Sequence, residues 1–291
     1  MKKVVRILGL CALVSLAFTA CKKDNTQKVS FTASITQPTS NSRTHAVGFG
    51  HHLVWDAGNA IKVFNNAGTD MDFALPTEGE FAQQATFNVV GVDEVNFLKD
   101  LTIDDAYTSF YPNAVVEGNQ VKMVIPANQK YVPQRNFDNN LYPMYAHNQG
   151  DNFIFHSNAG FLNVSVTCPQ ALSGTIAITK IVLTSKDATL DKLNGEVFYD
   201  KDGSNYSFVG GTNVITMDQG AFPATLYYQS STDFTFVLPE GALSSGFVVD
   251  VYLDNGDVKT FEAPADVNTI EAETYTVMIP VTVGNTLQIV H

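Results

Sequence analysis

The 291-residue chain is acidic, with 29 Asp and Glu against 17 Lys and Arg and a net charge of -12, a balance that excludes a nucleic-acid partner because phosphates require a basic face. Hydrophobic residues make up 45% and charged residues 16%, too apolar for a disordered chain, while 20 Phe and 11 Tyr with abundant Val, Ile and Thr point to strands rather than helices.

Residues 1–20 have the three parts of an export signal: the basic Lys2, Lys3 and Arg6, an apolar stretch over 7–17, and the small Thr19 and Ala20 before Cys21. The apolar stretch is too short to cross a bilayer. A Cys at the cleavage point, followed by the polar run 22–27, predicts lipid attachment at Cys21, and several acyl chains on one residue anchor stably. Removing the leader leaves 271 residues with 14 basic against 29 acidic side chains. Cys11 departs with it, so Cys168 has no partner for an intrachain disulfide and stability must come from packing.

Past the tether, apolar residues recur at every second position, and no window carries a 3.6-residue stripe with a cap and a stop. Residues 29–35 alternate, with Val29, Phe31, Ala33 and Ile35 on one face, and a loop rich in Pro, Ser, Asn and Thr follows over 37–44. Later strands are 120–125, with Val121, Met123 and Ile125 inward, and 162–168, whose phase turns Cys168 inward with Leu162, Val164 and Val166. In 175–185 the apolar phase slips between Ile178 and Ile181 as a bulge would shift it. Two hairpins are legible, 197–208 around Asp200-Lys201-Asp202-Gly203-Ser204 and 247–261 around Asp254-Asn255-Gly256-Asp257. Near the C-terminus, Tyr275, Val277, Ile279, Val281 and Val283 share one strand face, and Leu287 and Ile289 begin a shorter alternation. The turn-rich stretch 150–158 places a domain boundary near residue 158.

Chemistry-bearing groups do not assemble into a catalytic or metal-binding pattern. His51 and His52 are adjacent in sequence and would point to opposite strand faces, so with His45 and Asp56 they read as a polar loop rather than a metal site. His147 and His156 stand apart from any nucleophile motif, and residues 200–205 resemble a calcium loop but lack its closing Glu, since Gly211 stands at the twelfth place. No cofactor is expected. Tyr107, Phe110, Tyr111, Tyr131, Tyr142 and Tyr145 suit either a sandwich core or a platform for sugar rings, and Trp55, the sole Trp, suits a core anchor beside a turn at Gly58.

A series of short segments carries a family resemblance: Arg43-Thr44, Trp55-Asp56-Ala57-Gly58-Asn59-Ala60-Ile61, Tyr111-Pro112, Ile125-Pro126 with Gln129, Tyr142-Pro143-Met144-Tyr145-Ala146, Gly160-Phe161-Leu162, Leu193-Asn194-Gly195 and Phe236-Val237-Leu238-Pro239. In this order and spacing the chain resembles the fimbrillin-like proteins of Bacteroidetes, subunits and accessory proteins of surface fimbriae assembled by donor strands. The resemblance implies an all-β fold of two transthyretin-like β-sandwich domains in tandem, at 44–158 and 159–291, behind a signal peptide (1–20) and a tether with a removable strand (21–43). It also implies an outer-membrane lipoprotein exposed at the cell surface, cut by a trypsin-like protease between Arg43 and Thr44, with no enzymatic activity. Its expected partners are other fimbrial subunits, self or accessory, and a host or bacterial surface ligand. The donor strand is expected from Tyr275, Val277, Ile279, Val281 and Val283, or from Leu287 and Ile289, by strand addition. The alternative is a glycan-binding outer-membrane lipoprotein of a nutrient-uptake system. Asn59 stands where the family usually has Asp, a change expected to touch only turn chemistry.

Overall fold

The computed structural model describes residues 30–40, 53–78, 82–90, 106–133, 138–168, 176–219, 223–227, 230–265, 269–277 and 281–283. Among them the chain forms strands throughout, with one 3-10 turn at Asn139–Leu141. First come β1 (Ser30–Ile35), β2 (Thr39–Ser40), β3 (Ala60–Phe64), β4 (Asp70–Ala74) and β5 (Gln84–Val89), then β6 (Ala106–Tyr111), β7 (Val115–Glu117), β8 (Gln120–Ile125) and β9 (Asn128–Lys130). Next are β10 (Met144–Gln149), β11 (Asn152–Phe155), β12 (Ala159–Thr167), β13 (Ile176–Ser185), β14 (Gly195–Asp200) and β15 (Tyr206–Gly210). The last are β16 (Val214–Asp218), β17 (Ala224–Leu226), β18 (Ser231–Pro239), β19 (Phe247–Leu253), β20 (Val258–Ala263), β21 (Thr274–Val277) and β22 (Val281–Thr282).

Alternation selects the buried face, as expected. In β1 the side chains of Phe31, Ala33 and Ile35 are buried and those between them are half-buried, and in β8 the buried set is Val121, Met123 and Ile125. A seven-stranded sheet in the order β10, β6, β3, β4, β5, β1, β11 and a four-stranded sheet in the order β15, β14, β8, β7 contribute to one hydrophobic cluster. Sheets of six strands (β20, β19, β13, β16, β9, with β17 beside β13) and five (β18, β12, β21, β2, with β22 beside β12) build a second. The architecture is an all-β, sandwich-like stack.

β12 joins the two clusters. Its residues Ala159 to Val164 are all buried, Phe161 facing the first cluster and Leu162, Val164 and Val166 the second, where Cys168 also lies with no exposed surface. Alternation still operates over 162–168, but both faces are covered from Ala159 to Val164, so even the polar Asn163 is buried. The slip expected in 175–185 is present: the register of β13 against β19 shifts between Ile178 and Lys180 while Ile178 and Ile181 stay buried. Both expected hairpins form. Tyr199 pairs with Tyr206 and Tyr252 with Val258, with Gly203 at φ 73° and Gly256 at φ 88° in the turns.

The expected boundary near residue 158 falls between β11 and β12, and strand pairing crosses it in both directions. β14, from beyond it, pairs with β8 beside the first cluster and carries β15 on its other side, while β9, from before it, pairs in parallel with β16 beside the second. One expectation is corrected. A loop is expected over 37–44, but Thr39–Ser40 form a short strand parallel to β21, Thr39 N–H donating to the Glu273 carbonyl at 3.0 Å.

Candidate assembly site

The seven-stranded sheet beside the first cluster is organised around β1. It runs antiparallel to β5, with Phe31 opposite Phe87 and Ala33 opposite Ala85, and parallel to β11, with Ala33 opposite Phe153 and Ile35 opposite Phe155. At the other end of the seven-strand order, β10 meets the chain just past β11, where Tyr145 and His156 exchange both backbone hydrogen bonds at 2.8 Å. The sheet therefore closes nearly to a ring, in which β1 is an inner member rather than an edge.

Phe31 packs edge-on to Phe73 and Tyr107, with centroids at 4.9 and 5.2 Å, and tilted against Phe153 at 5.0 Å. Beside it Trp55, 1% exposed, donates from Nε1 to the Ala33 carbonyl at 3.0 Å and meets Phe87, Tyr111 and Phe155 edge-on. A turn fixes that indole. Gly58 takes φ 77°, and Asn59 Oδ1 accepts the Asp56 N–H at 2.7 Å. The positive φ thus falls on Gly58, and Asn59 serves as the side-chain acceptor, a part Asp would also fill.

The segment after β1 is tied to strands beside both clusters. Gln37 Nε2 donates to the carbonyls of Leu53 (3.0 Å) and Ile35 (3.1 Å), and its Oε1 accepts the Leu53 N–H at 2.9 Å. One side-chain amide satisfies both backbone groups of Leu53, as a neighbouring strand would. Thr36 Oγ1 lies 3.3 Å from His156 Nδ1, and that nitrogen is also 3.0 Å from Glu273 Oε1, which accepts the Ser157 N–H at 2.9 Å. Glu273 holds φ 52°. Through β2 and Glu273, the described chain ahead of residue 41 reaches the five-stranded sheet.

Of the expected site residues, Cys21, Arg43, Thr44, Ile279, Leu287 and Ile289 lie outside the described residues. Val277 ends β21 and Val281 begins β22. Tyr275, 6% exposed and stacked on Phe161 at 4.6 Å, and Val283, 3% exposed, are buried in their own chain, where β21 and β22 run parallel to β12. Burial pushes the Tyr275 hydroxyl far above the ordinary tyrosine range. The sequence reading missed Gln37, Leu53, Ala85 and Glu273. An alternating strand followed two residues later by Gln was the available signal for the first of these.

Other candidate chemistry resolves into structure. Tyr107, Phe110, Tyr111 and Tyr142 are buried in the first cluster, while the half-buried Tyr145 and Tyr131 pack on Tyr199 and Phe234. In the 200–205 turn, Asp202 Oδ1 accepts the Ser204 N–H and Asp200 Oδ2 accepts from Asn205, so the carboxylates serve the turn itself. Among the described residues no three His, Cys, Asp or Glu side chains converge as metal ligands. A cleft of about 290 Å³ opens where β3 and β6 diverge, between Ile61 and Pro112. Its Lys62 is held by Asp72 at 2.7 Å and Asp70 at 3.2 Å. Desolvation draws the lysine pKa down, but the two carboxylates outweigh it and raise it overall.

No protein-family model and no curated protein matches the chain. Solved structures do match. A candidate cell adhesion protein from Bacteroides ovatus superposes with a TM-score of 0.56 at 13% identity, over 88% of this chain and 91% of that one. The two share one fold. A fimbrial protein from Bacteroides ovatus (TM-score 0.39, 10% identity, 88% of this chain and 50% of that one) and the tip fimbrial protein Mfa3 from Porphyromonas gingivalis (TM-score 0.30, 12% identity, 80% and 81%) are further matches. These structures bear fimbrial and cell adhesion names, and what the first of them shows for this chain is the fold.

Proposed function

We propose that this chain is a non-enzymatic structural subunit or accessory pilin of a cell-surface fimbria, built as two tandem sandwich domains and supporting adhesion. It is exported as an outer-membrane lipoprotein on Cys21, matured by cleavage between Arg43 and Thr44, and joined to other subunits by strand exchange. The observation that carries this reading is the position of β1: an inner strand of a nearly closed sheet that lies wholly ahead of Arg43. Burial of Phe31 and Ile35 contributes about 1.5 to 3 kcal/mol each, and a domain's whole margin is about 5 to 15 kcal/mol. A cut after Arg43 that releases β1 leaves β5 and β11 with unpaired edges and an open apolar slot, which an extended strand from another subunit can refill. As donor to another subunit, Leu287 and Ile289 suit better than 275–283, because Tyr275 and Val283 are engaged in their own core.

The test uses the lipid-free full chain. Limited trypsin treatment should release residues ahead of Thr44, verified by intact mass, and the cut protein should capture a labelled peptide with the sequence of residues 30–37. The Arg43→Ala chain, treated alike, should not capture it, and equal capture by that variant would overturn the cleavage step. For the anchor, Cys21→Ala should abolish labelling by a fatty-acid analogue in cells, and equal labelling of the mutant would remove lipidation from the scheme.

A further inference from the structure

The track occupied by residues 30–37 is graded in size along its length. At its start, Phe31 fills a recess walled by Phe73, Tyr107 and Phe153. In the middle, Ala33 and Ala85 are direct cross-strand partners on the inner side of the β1–β5 seam, and the Trp55 indole reaches Ala33 with Nε1 on its carbonyl. Ala33 has no exposed surface. Ala33 is paired with strands on both sides and fully enclosed, so a larger side chain there must displace packed neighbours. At the far end Ile35 is buried, and two residues on, the Gln37 amide completes both backbone groups of Leu53. Leu53 is itself 2% exposed and lies beyond Arg43, so a cut there leaves its N–H and C=O to be satisfied by whatever enters.

We propose that this slot selects its strand by that order of sizes. The order is aromatic, then alanine-sized two residues on, then aliphatic, then a side-chain amide, and the strand comes from a subunit other than a second copy of this chain. The proposal rests on the strand-exchange reading above and adds the identity of the incoming partner. The C-terminal segments of this chain do not match the slot. A register that turns Tyr275, Val277, Ile279, Val281 and Val283 inward puts Tyr, Val or Ile where Ala33 stands. A register that turns Leu287 and Ile289 inward puts Leu or Ile there, or Asn285 where Leu287 takes the Ile35 place, and each is larger than Ala. A slot that rejects residues 275–291 does not receive them from a second copy of this chain. The chain occupies a place in the fimbria where unlike subunits meet.

Peptide binding to the full chain cut after Arg43 tests this without altering the folded protein. The reference is a fluorescent peptide with the sequence of residues 30–37, compared with the same peptide carrying Ala33→Leu, Phe31→Ala or Gln37→Ala and with peptides of residues 275–283 and 285–291. Ala33→Leu should weaken binding about tenfold to a hundredfold, Phe31→Ala by about a hundredfold or more, and Gln37→Ala several-fold. Both C-terminal peptides should bind at least about tenfold more weakly than the reference. Binding of the Ala33→Leu peptide or of either C-terminal peptide as tightly as the reference overturns the size selection and leaves strand exchange intact. Failure of the reference peptide to bind protein verifiably cut after Arg43 removes strand exchange itself, and the proposal with it.

Discussion

The side-chain amide of Gln129 pairs with the backbone of Val237 as an adjacent strand would, Nε2 donating to the carbonyl at 2.8 Å and Oε1 accepting the N–H at 3.0 Å. Val237 lies in β18, the outer member of the sheet order β18, β12, β21, β2, so the amide closes part of an otherwise open edge. Gln129 is 1% exposed and Val237 fully buried, and neither group can turn to water instead.

Removing this amide should therefore cost more than an ordinary hydrogen bond. Gln129→Ala orphans a buried N–H and a buried C=O, at about 1 to 3 kcal/mol for each group. Gln129→Glu keeps the shape but sets an oxygen against the Val237 carbonyl, and it should lose a comparable amount. Urea unfolding followed by circular dichroism measures both. A Gln129→Glu midpoint equal to wild type would show that the amide pairing contributes nothing.

Gly160 is required for a close approach rather than for a special backbone angle. A Cβ there would lie 2.2 Å from the Glu271 carbonyl oxygen and 2.8 Å from Ile270 Cγ2. The nearest obstacle is backbone, which cannot swing aside as a side-chain tip would. Gly160→Ala should destabilise the chain by about 1 to 3 kcal/mol, read as a lower urea midpoint at unchanged slope. An unchanged midpoint would mean that 269–273 shifts freely away from β12.

Much of this was legible in the sequence because it is local. The alternation Phe31, Ala33, Ile35 fixes which face of β1 is buried, and Trp55 followed by Gly58 and Asn59 announces an anchor beside a turn. Leu193-Asn194-Gly195 also acquires a physical reason. Leu193 is core, the Asn194 amide donates to Thr212 and Val214, and Gly195 admits the Val209 carbonyl where a Cβ would sit 2.3 Å away. Long-range pairing was not legible. The period of β14 declares a strand but not that its partner is β8, about 70 residues earlier, across the expected boundary. Thr39–Ser40 is too short and too polar to show a period at all. The Gln37–Leu53 pairing joins residues 16 apart in the chain, and no local period announces it.

Asp191 makes the last prediction, and its sign can be worked out. The carboxylate is 3% exposed, yet Oδ1 accepts from Ser244 Oγ at 2.8 Å, while Oδ2 accepts from Ser185 Oγ at 2.9 Å and from the Ser245 N–H at 3.0 Å. Burial alone would weaken the acid, but these donors stabilise the anion more, and the net pKa falls below the reference value of 3.8. A carboxyl whose folded pKa is depressed contributes stability that is fully present above its unfolded pKa and is lost as pH falls through the folded one. Asp191→Asn cannot ionise, and its NH2 group would confront a donor. It should be less stable than wild type by about 1 to 3 kcal/mol at pH 7. The gap should hold down to about pH 4 and narrow below pH 3.8 as the wild-type carboxylate takes up its proton. Urea midpoints of both chains at pH 7, 4 and 3 would measure it. A gap that stays constant across that range would mean that Asp191 joins the 187–192 and 240–246 turns by shape alone, without the charge.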